Sequence, residues 1–178
     1  MRANRVRVLL VDDHAVVRAG YRLLLQTAPE IEVVGEADSG EAGCRGFVEL
    51  APDVVIMDLT LPGIGGLETI RRIVQREPKA KVLVFSMHED TLFVEQALAA
   101  GARGYVTKSS APHVLLAAVK QIAAGGQPLA RLQLRRVEAA RHGFGSGLVF
   151  GLAFFPGLIW WLSELGLDTS SFATGTYS

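Results

Sequence analysis

The sequence predicts an α/β fold, a doubly wound parallel sheet of five strands with helices on both faces, and two observations carry that expectation. Short apolar runs alternate five times with stretches of helical periodicity, the order that builds parallel strands through crossover helices. Val54-Val55-Ile56-Met57 is apolar at every position instead of alternating, so both faces of that strand are expected to be covered. It runs into one carboxylate, Asp58, and then Leu59-Thr60-Leu61-Pro62-Gly63. In open α/β sheets, ligands bind at the carboxyl edge of the strands. Asp58 is therefore the point on which other candidate residues are expected to converge.

Each element has its own justification. Residues 5–11 (RVRVLLV) alternate and then turn wholly apolar, as a strand entering a sheet interior does, and Asp12-Asp13 end it. Val16, Val17, Tyr21, Leu23 and Leu24 recur near helical spacing over residues 14–28, and Pro29 closes that helix. Residues 31–37 (IEVVGEA) form the second strand. Asp38-Ser39-Gly40-Glu41 offers cap residues for a helix through Cys44 and Val48 to Leu50, and Pro52-Asp53 turns the chain into the Val54 strand. Pro62-Gly63-Ile64-Gly65-Gly66 reads as a flexible loop, followed by Leu67, Ile70, Ile73 and Val74 at helical spacing up to Pro78. Residues 81–85 (KVLVF) are the fourth strand, ending in Ser86. Asp90 or Thr91 caps a helix through Ala100, and Gly104-Tyr105-Val106-Thr107 makes a short fifth strand before Lys108. Ser110-Ala111-Pro112 starts a last helix that reaches Gly125-Gly126.

Composition bounds the function classes. A chain of 178 residues, 49% hydrophobic, holds one core of ~100–150 residues and an appendage. Lys+Arg and Asp+Glu both total 18, so the overall charge calls for neither nucleic acid nor acidic lipid. The single cysteine, Cys44, excludes a disulfide framework or cysteine metal cluster, suits a reducing compartment, and is expected as a small buried thiol. The basic start Met1-Arg2-Ala3-Asn4-Arg5 precedes an apolar run too short for a secretory signal, and a cytoplasmic location is expected.

Parallel strands would bring Asp12, Asp13, Asp58, Ser86 and Lys108 to one sheet edge. Clustered carboxylates repel one another unless a hard cation joins them, and Mg²⁺ favours carboxylates, a carbonyl, waters and a phosphoryl oxygen. A carboxylate can also attack phosphorus and form an aspartyl phosphate, provided cations and hydroxyls meet the charge on the phosphoryl oxygens. Lys108 and Ser86 are of the right types. Taken singly, an acid after a strand is commonly a helix cap, a lysine a solvated surface group and a serine a turn residue; their matched strand-end positions set these apart. His14 and His88 are expected to line the site and not to act as ligands. The glycines at 63, 65 and 66 lack the spacing, lysine and hydroxyl of a phosphate-cradling loop.

The segments VLLVDDH, VVIMDLTLPGIGG, VLVFSMHED and GARGYVTKS, in that order, resemble the receiver domain of two-component response regulators, particularly the NarL/FixJ type, from Arg5 to about Gly126. The resemblance implies a flavodoxin-like receiver fold with Asp58 as phosphoacceptor. It implies Mg²⁺ bound directly by Asp13 and Asp58, by Asp12 through water, and by the Thr60 backbone carbonyl. Ser86 and Lys108 would contact the phosphoryl group, Tyr105 would be the switch aromatic that turns inward as Ser86 moves, and Thr60 and His88 would tune dephosphorylation. The implied partner is a sensor histidine kinase, with homodimerisation on phosphorylation and transcription regulation as the output. Such a protein is a phosphoacceptor switch and not an enzyme beyond self-phosphorylation from small donors and self-dephosphorylation. The competing class, an aspartate-nucleophile phosphohydrolase, needs a substrate pocket and cap that the short loops do not build.

The expected organisation is a receiver domain over 1–126, a basic amphipathic linker helix over 127–142 (with LARLQLRRVEAAR at 129–141), and an atypical apolar, glycine-rich tail over 143–178. NarL/FixJ proteins continue into a helix-turn-helix, and no such pattern follows Gly126, so DNA is expected from the family but not from a motif here. Residues 143–163 carry no charge and approach the ~20 residues that span a bilayer, with Arg135, Arg136 and Arg141 before them and Trp160 and Trp161 as interfacial candidates. Their glycines and Pro156 disfavour a helix in water, and residues 168–178 are polar. A membrane contact, an apolar segment packing on the receiver or a partner, and a truncated or frameshifted effector remnant all stay open. A stand-alone or membrane-associated receiver without DNA binding is the corresponding alternative function.

Overall fold

The structure, a computed structural model, describes residues 5–125. The expectations for 127–142 and 143–178 lie outside the described residues. The elements are β1 (Val6–Val11), α1 (Ala15–Gln26), β2 (Ile31–Ala37), α2 (Gly40–Leu50), β3 (Val54–Met57), α3 (Gly65–Arg76), β4 (Val82–Ser86), α4 (Thr91–Ala99), β5 (Gly104–Thr107) and α5 (Pro112–Ala123). The sheet has five strands in the order β2-β1-β3-β4-β5, and every pairing is parallel. This is the doubly wound parallel sheet that the alternation predicts, in the strand order of the flavodoxin-like fold that the resemblance implies.

The apolar runs are explained by double coverage. Along β3, Val54 and Ile56 point to a cluster with Leu24 and Leu25 of α1 and Leu115, Val119 and Ile122 of α5. Val55 and Met57 point the other way, to Ile70 and Ile73 of α3 and Val94 and Ala97 of α4, against which Phe47 and Leu50 of α2 also pack. Successive strand residues face opposite sides, so a strand sandwiched between helices must be apolar throughout. All four are at most 1% exposed, and each such side chain contributes about 1.5–3 kcal/mol relative to exposure.

The predicted caps form: the Ser39 hydroxyl accepts from the Ala42 N–H at 3.4 Å, the Asp90 carboxylate from the Leu92 N–H at 3.0 Å, and Pro112 opens α5. Two boundaries differ from expectation. α1 ends at Gln26, before Pro29, because the Thr27 hydroxyl and N–H both donate to the Leu24 carbonyl, at 2.7 and 3.1 Å, and tighten the last turn. α3 begins at Gly65, inside the stretch expected as loop. Cys44 does lie in a helix, but it is only partly buried; its thiol is held above its ordinary range mainly by desolvation, with Arg72 opposing.

Candidate phosphoryl and cation site

The strand order sets the location. The chain leaves β1 for β2 on one side of the sheet and later returns to β3 on the other, so a crevice opens between the carboxyl ends of β1 and β3. Val11 pairs with Met57, and the Asp58 N–H donates to the Val11 carbonyl at 2.9 Å. Asp12 and Asp58 therefore emerge side by side, 2% and 3% exposed. On the next strands Ser86 pairs with Thr107, and the Lys108 N–H donates to the Ser86 carbonyl at 2.8 Å, which fixes where the lysine starts.

Lys108 joins the acids. Its ammonium donates to Asp12 Oδ2 and to Asp58 Oδ2, both at 2.6 Å, with its side chain 6% exposed. The remaining oxygens of those two carboxylates are also engaged: Asp12 Oδ1 accepts from the His14 N–H at 2.8 Å and Asp58 Oδ1 from the Thr60 N–H at 3.2 Å. Asp13 differs. Its Oδ1 is buried without a hydrogen-bond partner; His14 Nδ1 lies 2.9 Å away without hydrogen-bonding geometry. Ligand atoms of Asp12, Asp13, His14 and Asp58 all lie within 4.8 Å of one another. Counted as ionised, the three carboxylates and one ammonium leave a formal charge of −2, which a divalent cation would neutralise. The orphaned Asp13 oxygen, a hard donor beside hard donors, fits such an ion.

The other sequence candidates surround this cluster. Ser86 is wholly buried at the end of β4, and its hydroxyl accepts from the His88 N–H at 3.4 Å. Thr60 Oγ1 and His88 Nε2 lie 3.3 Å apart, linking the loops after β3 and β4. Tyr105 is 2% exposed, so its ring already points inward, and its hydroxyl donates to the His88 carbonyl at 2.7 Å. Burial raises the Tyr105 phenol, opposed by the Ser86 hydroxyl and reinforced by Asp58.

Three contributors escaped the sequence reading. Arg18, on α1, donates to the Asp12 carbonyl and at 3.0 Å to Glu36, tying the end of β1 to β2; only its place one turn after His14 hints at this. Tyr21, on α1, meets Phe85 edge-on at 4.6 Å, and burial, then the charges of Asp12 and Asp58, raises its phenol. Gly66 touches the Asp58 backbone so closely that a Cβ there would lie 2.1 Å from the Asp58 carbonyl oxygen. α3 can start where it does because that residue has no side chain. His14, set aside as lining, stands within the cluster itself.

A buried lysine between two acids, with a third acid beside them at the switch point of this strand order, defines a receiver-type α/β domain. Residues 8–120 match the response regulator receiver domain, and the chain belongs to that family. It is 38% identical over 123 residues to the transcriptional regulatory protein DegU of Brevibacillus brevis, covering 69% of this chain and 52% of DegU. It is 42% identical over 142 residues to the response regulator GacA of Pseudomonas aeruginosa, covering 77% of this chain and 66% of GacA. A solved two-component response regulator of the LuxR family from Aurantimonas sp. SI85-9A1 is 43% identical, with a TM-score of 0.72, covering 78% of this chain and 99% of that one. The chain thus spans little more than half the length of the first of these relatives. Receiver domains take a divalent cation through such an acidic pocket and work as phosphoacceptor switches. Among the described residues no helix is long and apolar enough to cross a membrane.

Proposed function

We propose that Asp58 is the phosphoacceptor of a two-component response regulator, charged by a sensor histidine kinase in the presence of Mg²⁺. The observation that supports this most is Lys108 bridging Asp12 and Asp58 at 2.6 Å beside the orphaned Asp13 oxygen. Asp12, Asp13, Asp58 and the Thr60 carbonyl would hold Mg²⁺, with Asp12 acting through water. The bound ion would supply charge neutralisation on the phosphoryl oxygens. Asp58 Oδ attacks phosphorus, the bond from phosphorus to the kinase's histidine nitrogen breaks, and that nitrogen keeps the electron pair. Lys108, already within reach of Asp58, meets the new negative charge, and Ser86 supplies a hydroxyl from β4. Tyr105 fills the space behind Ser86, and its bond to the His88 carbonyl links that space to the loop before α4.

The rest of the proposal follows the family. The protein is a switch and not a metabolic enzyme, cytoplasmic, homodimeric when phosphorylated, and turned to transcription in its output. The proposed organisation is a receiver over 1–126, a basic linker over 127–142 and an apolar tail over 143–178 in which no DNA-binding motif is recognised. The test is Mg²⁺-dependent labelling by acetyl phosphate. The parent is expected to label, and Asp58→Asn to lose all label; an Asp58→Asn protein that labels like the parent removes the central claim.

A further inference from the structure

His88 is held at three points. Its backbone N–H donates to Ser86 Oγ at 3.4 Å, its carbonyl accepts from the Tyr105 hydroxyl at 2.7 Å, and its ring stands 3.3 Å from Thr60 Oγ1. The first two bonds fix the backbone and leave the ring free to turn about its own side-chain bonds. What restrains the ring on its other face is Phe93, with centroids 4.1 Å apart and planes 16° from parallel. Phe93 lies in the first helical turn of α4, which Asp90 caps, and packs against the core cluster that also holds Val94, Ala97 and Tyr105. It is anchored from behind while offering a face to the imidazole. Thr60, at the far end of this stack, gives its N–H to Asp58 Oδ1 at 3.2 Å. A continuous line therefore runs from the α4 core through Phe93, His88 and Thr60 to the acceptor carboxylate.

We propose that Phe93 is a positioning residue: it holds the His88 ring against Thr60, across the side of the crevice by Asp58, and so slows the removal of the phosphoryl group by water. The proposal rests on Asp58 being the phosphoacceptor. In the step concerned, a water oxygen forms the new bond to phosphorus while the bond from phosphorus to the Asp58 oxygen breaks. The electron pair returns to the carboxylate, the water's proton passes to solvent, and inorganic phosphate leaves. Thr60, bonded to Asp58 Oδ1 at 3.2 Å, and His88, 3.3 Å from the Thr60 hydroxyl, reach this side of Asp58 from the loops after β3 and β4. With the stack intact the ring stays across that side; without it the ring swings toward solvent and water gains a path. Aromatic stacking of this kind shifts a two-state ring population by about two- to tenfold, and the hydrolysis rate is expected to follow.

The experiment uses the full chain, labelled with acetyl phosphate and Mg²⁺, freed of donor, and followed by inorganic phosphate release. Phe93→Leu keeps the apolar contact with the core but loses the stack, and is expected to release phosphate about two- to tenfold faster than the parent. Phe93→Tyr keeps the ring and should restore the parent rate. His88→Ala should be at least as fast as Phe93→Leu, and the double variant no faster than His88→Ala alone. An unchanged rate in Phe93→Leu, a fast Phe93→Tyr, or an undiminished Phe93→Leu effect in the His88→Ala background overturns the positioning role. Absence of Mg²⁺-dependent label on the parent overturns the phosphoacceptor assignment, and this inference with it.

Discussion

Ile56 and Asp58 stand two residues apart at the end of one strand and are almost equally hidden, 1% and 3% exposed, yet they are held in different ways. Ile56 is surrounded by Val8, Leu10, Leu115 and Val119, and nothing about its environment depends on direction. Each oxygen of Asp58 has a named partner, Thr60 on one side and Lys108 on the other. Burial stabilises the first residue through area alone, whereas it penalises the second unless charge and hydrogen bonds are supplied. The sheet interior is thus a scaffold that tolerates apolar exchange when volume is kept. Its carboxyl edge, where one ammonium bridges two of three clustered acids, gives up stability of that kind for the cation and phosphoryl binding proposed above.

The largest test of that contrast is Lys108→Ala. It leaves Asp12 and Asp58 buried with no cation between them, and a loss of about 3–5 kcal/mol is expected in metal-free denaturant unfolding. Adding Mg²⁺ should recover part of the loss, and Lys108→Ala should cost less in an Asp58→Asn background; equal costs in both backgrounds would show that the pair is not coupled. Next comes Ile56→Ala, expected to cost about 2–5 kcal/mol through lost burial and the cavity left, with no change in the stabilisation that Mg²⁺ confers. If the Mg²⁺ response changes with it, interior and edge are not the separate regions described.

A smaller effect lies in alkali. The phenols of Tyr21 and Tyr105 are both raised above their ordinary value of 10.0, chiefly by burial, with nearby carboxylates adding to it and the Ser86 hydroxyl opposing it at Tyr105. A group whose folded value is raised gives stability that is complete below the unfolded value and is lost as pH climbs through the folded one. Stability should therefore fall above pH 10, and Tyr21→Phe should flatten that decline in pH-dependent unfolding. The smallest effect is far from the edge. Ala51, closing α2 with φ 43° and ψ 61°, is the only non-glycine residue with positive φ among those described. Ala51→Gly should raise stability by about 0.5–1 kcal/mol without altering phosphorylation. A loss would place the strain elsewhere.

Much of this is legible in the sequence alone. The unbroken apolarity of Val54 to Met57 announced a strand covered on both faces, and the positions of Asp12, Asp58, Ser86 and Lys108 just beyond such runs announced a shared edge. These signals are local, carried by period and by termination. Arg18, Tyr21 and Gly66 carry no such signal, because each matters through a group outside its own helix that the helical period does not reveal: the Asp12 carbonyl and Glu36, the acid cluster, and the Asp58 backbone. A glycine needed for close approach looks the same in a sequence as one needed for a loop. That ambiguity is why α3 starts earlier than the pattern Pro62-Gly63-Ile64-Gly65-Gly66 suggests.

The sequence by itself therefore determined the five strand and helix units, the class of fold and the chemistry collected at its edge, since hydrophobic period and chain order already encode them. Only the tertiary structure decided the strand order β2-β1-β3-β4-β5, which opens the crevice between Asp12 and Asp58. Likewise it decided that Lys108 bridges both acids, that Asp13 keeps an unpaired oxygen, that Tyr105 points inward, and that Phe93 backs the His88 ring. The reason is physical: burial preference is a property of each residue along the chain, but partnership between two side chains exists only once distant segments have been brought to the same few ångströms.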